Sequence, residues 1–318
     1  MPDVVVIGAG VVGLTTAVQL LEHGCKVEVW TRDDPLATTS AVAAAIWYPY
    51  LAEPRARVLQ WSAVTFRRLA QLAADARTGV VMQRTVELFA VPDPDLWWAP
   101  AVHAIERLPA AEVPPGYAAA IAVQVPVCDT TRYLPWLVAA IGERGGTIVR
   151  RTVRDFDAAF ARAPAVVHCA GLGARELCGD RALRPVRGQV VVAAATPLPH
   201  ALLDDTGTRP VYVVPRHDDV ILGGTAQPGD DRTAPDTDDT SAIVAACIAR
   251  VPQLAGVALR AVKVGLRPYR STVRLELERP APGRQLVHSY GHGGSGFTLS
   301  WGCAAEVALL LGVDGARP

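Results

Sequence analysis

The chain opens on an unbroken apolar run, Val4, Val5, Val6 and Ile7, the pattern of a strand buried on both faces. Apolar side chains then recur at helical spacing over 14–21, and a second strand-like run covers 26–30. Between the first strand and the helix stand Gly8, Ala9, Gly10, Val11, Val12 and Gly13, a G-x-G-x-x-G turn. In a strand–turn–helix–strand unit the three glycines have separate tasks. Gly8 permits the tight turn, Gly10 lets the backbone approach a pyrophosphate, and Gly13 lets helix and strand pack closely. The first helical amides, at the positive end of the helix dipole, then face the phosphates. Asp33 lies about 20 residues beyond the last glycine, where an acid meets the ribose. The pattern predicts a dinucleotide site and leaves NAD, NADP and FAD equally open.

Further along, Thr38, Thr39 and Ser40 form a hydroxyl cluster that suits either a backbone passing close to a ligand or an ordinary helix cap. An amphipathic helix is expected over 57–74, and strands and loops of a second domain over 75–127. Thr130 or Thr131 would cap a helix ending near Gly145, before strands at 147–149 and 165–169. The second of these closes on Gly171 and Gly173, at the strand end where ligands sit in doubly wound sheets. Strands at 188–194, 211–215 and 220–223, with a turn at His217-Asp218-Asp219, predict an antiparallel sheet. Residues 228–240, rich in Pro, Asp and Thr, predict a solvated loop, with Thr240 capping a helix toward Pro252. Strands at 273–278 and 286–290 lead to Gly291-His292-Gly293-Gly294-Ser295-Gly296 and a helix over 297–311. That second glycine-dense turn into a helix is another anion site, and two such sites favour a long cofactor clamped at several points.

Composition narrows the class. The 318 residues make about two domains, half of them hydrophobic, with 31 basic against 31 acidic side chains. No basic field points to nucleic acid or an anionic membrane. Cys25, Cys128, Cys169, Cys178, Cys247 and Cys303 form no C-x-x-C pair and show no zinc spacing, so buried thiols in a reducing compartment are expected, and no metal. There is no basic segment before the first apolar run to make a signal peptide. The longest apolar stretch, 41–52, is shorter than the ~20 residues of a membrane span. The sequence ends Gly315-Ala316-Arg317-Pro318 rather than in S-K-L, and the expected location is cytoplasmic.

Several separated stretches carry a resemblance. They are the 5–14 turn, Ala43-Ala44-Ala45-Ile46-Trp47-Tyr48-Pro49-Tyr50, Arg187-Gly188-Gln189 and Tyr212-Val213-Val214-Pro215. Leu222-Gly223-Gly224-Thr225, Gly265-Leu266-Arg267-Pro268-Tyr269-Arg270 and the run from His288 to Gly296, closing with Trp301-Gly302-Cys303, complete them. With these the chain resembles, over nearly its whole length, the D-amino-acid oxidases, FAD enzymes of the glutathione-reductase-like fold. The resemblance implies an α/β protein, a Rossmann-like FAD-binding domain (1–50, 140–190 and 258–318) interleaved with a substrate domain on a mixed or antiparallel sheet (51–139 and 191–257). It implies that Arg267 and Tyr212 hold the substrate carboxylate, that Gly294 receives the amino group through its carbonyl, and that Ile46, Tyr48 and Tyr50 complete the pocket. FAD, bound non-covalently, would meet Gly8, Ala9, Gly10, Val11, Val12 and Gly13, with Arg32 and Asp33 at its adenosine end. Thr38, Thr39 and Ser40 would flank its phosphates. Ala45, Ile46, Val153, Cys169, Gly171, Arg267 and His288 are further expected flavin contacts, as are Gly293, Gly294, Gly296, Phe297 and Thr298.

The implied reaction is oxidative deamination of neutral D-amino acids to 2-oxo acids, ammonia and hydrogen peroxide, by hydride transfer to flavin N5. No acid or base is required, since the amine can lose its proton to water, and His288 and His292 are expected to serve packing. The alternative is a related flavin amine oxidase acting on glycine, sarcosine or D-aspartate; the last would need an extra cation, from Arg209 or Arg216. The partners implied are a D-amino acid and dioxygen, without nucleic acid or membrane, and a homodimer is suggested. Two features depart from the vertebrate pattern. Thr208 stands where those members carry a lid tyrosine, in a shortened 203–212 segment. Tyr48 and Ser295 replace a glutamine and a tyrosine, so pocket shape should differ.

Overall fold

A computed structural model describes residues 1–313. The terminal residues Gly315, Ala316, Arg317 and Pro318, on which the S-K-L expectation rests, lie outside the described residues. The opening apolar run is β1 (Val4–Ile7), buried along its whole length; α1 (Val11–Glu22) and β2 (Val27–Thr31) follow. Two helices come next, α2 (Thr39–Val42) and the long amphipathic α3 (Arg55–Leu72). Then come β3 (Val80–Phe89), β4 (Ile105–Arg107), β5 (Ala119–Cys128), α4 (Thr130–Glu143) and β6 (Thr147–Arg150). After α5 (Asp157–Phe160), β7 (Ala165–His168) and α6 (Ala174–Leu177) the chain turns to strands: β8 (Arg184–Ala194), β9 (Ala201–Asp204), β10 (Val211–Pro215), β11 (Asp219–Gly223) and the short β12 (Gln227–Pro228). Last are α7 (Thr237–Arg250), β13 (Leu259–Ala281), β14 (Arg284–His292) and α8 (Gly296–Leu311).

All the strands share one sheet with two characters. In the order β14-β7-β1-β2-β6 every pairing is parallel, the arrangement a β–α–β nucleotide unit requires. Leu14, Val18, Leu137, Ile141 and Val307, from α1, α4 and α8, cover one face of it, and Trp30, Ala159 and Val166 make the core on the other. In the order β4-β5-β3-β9-β10-β11-β8-β13 the pairings are antiparallel except for β3 with β9. β13 joins the two, pairing with β8 from Leu259 to Tyr269 and with β14 from Tyr269 to Ala281. Sequence reading finds only the 273–278 part of this strand. Pro268 and the interrupted register between Tyr269 and Arg274 mask its continuity, and the proline falls at the seam where the strand changes partners.

Two expectations need correction. The caps of α4 and α7 are Asp129 and Asp236, whose carboxylates take the Thr131 amide and the Asp238 and Asp239 amides; Thr130, Thr131 and Thr240 lie inside the helices. A short carboxylate reaches these orphan amides, while the Thr240 hydroxyl turns back to Asp236 O at 2.7 Å. Second, residues 228–240 do more than meet solvent. Arg232 O and Ala234 O accept hydrogen bonds from the fully buried Arg187 guanidinium, at 3.1 and 2.9 Å. The amphipathic α3 packs on α8 and also meets β3 and β5. Gly302 has no Cβ, which would stand 2.2 Å from Trp61 O, and its amide donates to Thr65 Oγ1 at 2.9 Å.

Strand alternation decides which residues of the antiparallel half reach the nucleotide half. Val86 and Leu88, Leu202, Val211 and Val213, and Val191 and Ala193 pack toward α7, with Ile243 and Cys247. Their alternates, Glu87, Leu203, Tyr212, Gly188 and Val190, line a cavity on the opposite face.

Candidate functional site

That cavity, of about 940 Å³, runs from the Gly8–Val12 turn past Thr38–Ser40 to Arg267 and Gly294. At its nucleotide end two glycines are dictated by backbone packing. Gly8 has φ +110°, and a Cβ there would sit 2.4 Å from Cys169 O; one on Gly13 would sit 1.9 Å from Gly8 O. Gly10, the residue before α1, meets only Ser40 Oγ, at 3.1 Å, so its bareness leaves room for something entering from the cavity. Ser40 Oγ accepts the Val11 amide at 2.9 Å, and its own proton is left for a phosphate oxygen. Thr39 Oγ1 donates to Leu266 O at 3.1 Å, tying the hydroxyl cluster to the strand that carries Arg267. At the far end Arg32 Nε and Nη2 both bond Asp33 Oδ2, at 2.9 and 2.8 Å, which leaves Oδ1 for a ribose hydroxyl. An extended dinucleotide fits this cradle: a bare helix N-terminus for its phosphates, an acid for its ribose and a long cavity for the remainder.

At the other end bareness serves side chains. Arg267 on β13 lies opposite Val186 of β8, one pleat from Gly188, and a Cβ on Gly188 would be 2.3 Å from Arg267 Nη1. Nη1 donates to Thr225 O at 2.9 Å and Arg187 O at 3.4 Å, and among the described residues no carboxylate pairs with this guanidinium. Tyr212 pairs across the ladder with Gly223, and its ring occupies the place of the missing side chain: a Cβ there would be 1.9 Å from the ring, and one on Gly224 2.6 Å from the hydroxyl. Burial holds the Tyr212 phenol above its ordinary range, so it stays a neutral donor, although Arg267 pulls the other way. Gly294 lies in the turn before α8, packed on the Tyr50 ring, and the neighbouring Gly293 amide donates to Pro268 O at 3.0 Å. Two hydroxyls one turn apart, from the residue before α8 and from its first turn, fix the 48–50 segment: Ser295 Oγ bonds the amide and carbonyl of Tyr50 at 2.6 and 2.7 Å, and Thr298 Oγ1 those of Tyr48 at 3.1 and 2.9 Å.

Sequence reading missed the acidic wall. Glu87 is 5 % exposed, and its Oε1 accepts a hydrogen bond from Tyr48 Oη at 2.6 Å. Burial pushes its carboxyl up to about 7, with Asp205 adding to the shift and the Tyr48 bond opposing it. Asp205, also on the wall, is raised by burial and then by Asp204. Glu87 follows Gln83, Arg84 and Thr85 on β3, so its sequence context carries no signal that sets it apart from a solvent-facing acid. The cations considered for a second carboxylate are elsewhere: Arg216 pairs with Asp219 at 2.7 Å and Arg209 with Asp239 at 3.7 Å, and neither lines the cavity.

Of the expected contacts, Ala9, Val11, Val12, Ala45, Ile46, Val153, Cys169, Gly171, Gly293, Gly296 and Phe297 line the cavity, with Arg32, Asp33, Tyr48 and Tyr50. Gly13, Thr298 and His288 lie behind the wall. Gly13 is taken up by Gly8 and Thr298 by Tyr48, as described. His288 is buried with His168, their Nδ1 atoms 3.1 Å apart. Cys178 comes near, with the three ligand atoms within 4.8 Å, but its Sγ is engaged by Ala174 O and Tyr290 Oη. Burial lowers His168 to about 3 and His292 to about 4, so both rings are neutral near pH 7. His292, on the cavity wall, is thus no proton donor at neutral pH.

Comparison with known proteins agrees with this geometry. The family of FAD dependent oxidoreductases matches residues 3–310. The D-amino-acid oxidase of Rubrobacter xylanophilus is 45 % identical, over 97 % of this chain and 95 % of that protein. The human D-aspartate oxidase is 37 % identical, over 97 % and 94 %. Among solved structures, the glycine oxidase of Geobacillus kaustophilus superposes with a TM-score of 0.80 at 20 % identity, covering 99 % of this chain and 95 % of that one.

Proposed function

The chain belongs to the family of FAD-dependent oxidoreductases, and within it we propose that it is a D-amino-acid oxidase, deaminating neutral D-amino acids to 2-oxo acids, ammonia and hydrogen peroxide. One observation carries the reading: Arg267 faces the cavity beside Tyr212, and among the described residues no acid is paired to it. A guanidinium left open beside a neutral phenol is a receptor for a carboxylate, which it can grip with two parallel N–H bonds.

The Gly8–Val12 turn, Ser40, Asp33 and the start of α8 would hold FAD, which when bound would supply a two-electron acceptor for the Cα hydride, with dioxygen as the final oxidant. The chain's own work is placement. Arg267 and Tyr212 fix the carboxylate, and the Gly294 carbonyl accepts an N–H of the amine. With those two groups fixed, Cα has a hydrogen and a side chain left to place. Only one enantiomer puts the hydrogen toward the cofactor and the side chain toward Tyr48 and Leu203. No wall residue is required to take the amine proton, which leaves to water before the hydride. Hydrolysis of the imino acid by a second water gives the 2-oxo acid and ammonia. The amides at the start of α8 add a positive field beside the cofactor, a preorganised term of about 1 kcal/mol.

Against D-aspartate stands the charge of the wall, where Glu87 and Asp205 would face the second carboxylate and Arg209 and Arg216 are turned away. A peroxide-coupled screen of D- and L-amino acids, glycine and sarcosine tests the reading. Turnover confined to glycine and sarcosine, or to L-amino acids, would overturn it. A cytoplasmic location and a homodimer belong to the same proposal. No described helix is long and apolar enough to cross a membrane.

A further inference from the structure

The buried acid on the substrate wall has no task in the reaction just described. Glu87 stands on β3, where alternation turns it away from the α7 core and into the cavity that holds Arg267. Tyr48 donates to its Oε1 at 2.6 Å. Oε2 has no hydrogen-bond partner among the described residues, and no lysine, arginine or histidine pairs with the carboxyl. The titratable groups that face it are Tyr48, from the segment held by α8, and Asp205, from the loop after β9; the strands beside it present Ile121 and Leu203. A half-satisfied carboxyl at this depth is costly unless something completes its bonding. Asp205 on the same wall adds negative potential and no donor.

We propose that the Tyr48–Glu87 pair is the side-chain selectivity element of the site. It receives a cation or hydrogen-bond donor at the end of the substrate side chain, extends the range beyond neutral D-amino acids to basic ones, and turns acidic ones away. This rests on the reading of the cavity as a D-amino-acid site. Tyr48 holds one oxygen of Glu87 and so aims the other at the incoming group. Its own hydroxyl stays protonated, because burial and then Glu87 raise the phenol above its ordinary range. Burial also leaves Glu87 partly protonated near neutrality, with its midpoint at about 7. A bound ammonium or guanidinium favours the ionised form, so binding a basic side chain releases a proton from the site.

The test compares D-lysine with D-norleucine, which has the same carbon chain without the terminal ammonium. The wild-type D-lysine to D-norleucine ratio of kcat/KM is expected to rise as Glu87 ionises, between about pH 6 and about pH 8. Glu87→Gln is expected to lower that ratio at least about tenfold and to flatten its pH dependence. A ratio unchanged by Glu87→Gln, or a wild-type ratio flat across that range, would overturn the proposal, as would D-aspartate turned over as readily as D-lysine. Should Glu87→Gln fail to fold, the wild-type pH series and the D-aspartate comparison still decide. If neither D-norleucine nor any other D-amino acid yields peroxide, the D-amino-acid reading itself has failed, an outcome separate from an altered ratio among active substrates.

Discussion

At the FAD end of the cavity Gly8 and Gly13 carry no side chain because backbone meets backbone there, Gly8 against Cys169 O and Gly13 against Gly8 O. At the substrate end Gly188, Gly223 and Gly224 carry none because Arg267 and Tyr212 occupy the space. The first kind of bareness shapes a turn, and any side chain would move the chain itself. The second makes room for a working group, and a side chain would displace that group while the strands keep their ladder. The two ends should therefore fail differently when the same small change is made in each.

The largest effect is expected from Gly13→Ala. Its Cβ would lie 1.9 Å from the Gly8 carbonyl oxygen, and no rotamer relieves a clash with backbone. The purified protein should lack the flavin absorption bands and all peroxide production. A yellow, active Gly13→Ala protein would remove the distinction between the two ends. Arg267→Ala should do the opposite, keeping the flavin spectrum while kcat/KM for D-amino acids falls about 10³-fold, as expected when about 4 kcal/mol of charge-assisted pairing is lost. Unchanged turnover in that variant would detach Arg267 from the carboxylate. Gly188→Ala sharpens the contrast. A methyl 2.3 Å from Nη1 must push the guanidinium aside, so kcat/KM should fall about 10²-fold with flavin retained, since a displacement of about 1 Å has that consequence. Loss of flavin from Gly188→Ala would show that this glycine shapes the fold as Gly13 does.

The same contrast explains what the sequence made legible. The FAD end is local: strand, turn and helix follow one another within residues 4–22, and the spacing of Gly8, Gly10 and Gly13 is the geometry. The last turn, from Gly291 to Gly296, is legible for the same reason. At the substrate end Gly188, Tyr212, Gly223 and Arg267 come from four strands, β8, β10, β11 and β13. Resemblance supplied the roles of Arg267 and Tyr212, while the reason for the glycines beside them needed the pairing register. Glu87 was out of reach altogether. An acid in a strand reads as a solvent-facing residue until the partners on both sides are known, and β9, which buries it, lies more than a hundred residues later. Thr298, a flavin contact by its place in the last motif, lies behind the cavity wall, where its hydroxyl holds Tyr48, a task that only the folded structure displays.

The smallest expected effect concerns pH, and it too separates the ends. His168 on β7 and His292 at the end of β14 are held neutral by burial, lowered from the ordinary 6.5 to about 3 and about 4. The unfolded chain takes up protons as pH falls through 6.5 and the native chain does not, so their contribution to stability is lost on going from neutral to acid. Glu87 has the opposite sign. Its folded midpoint of about 7 lies above the ordinary 4.5, so the contribution of its neutral form is complete below 4.5 and is lost as pH rises through 7. Glu87→Gln removes that dependence and leaves the histidines untouched. The difference in Tm between Glu87→Gln and wild type should therefore move in favour of the variant between about pH 5 and about pH 8, by a few degrees. His168→Gln should move relative to wild type in the other direction, gaining as pH falls from about 6.5 toward about 4. A Tm difference for Glu87→Gln that does not vary with pH would mean that Glu87 is ionised throughout. The wall would then present a fixed negative charge to every substrate, and the rise of the D-lysine to D-norleucine ratio with pH, on which the selectivity proposal depends, would not occur.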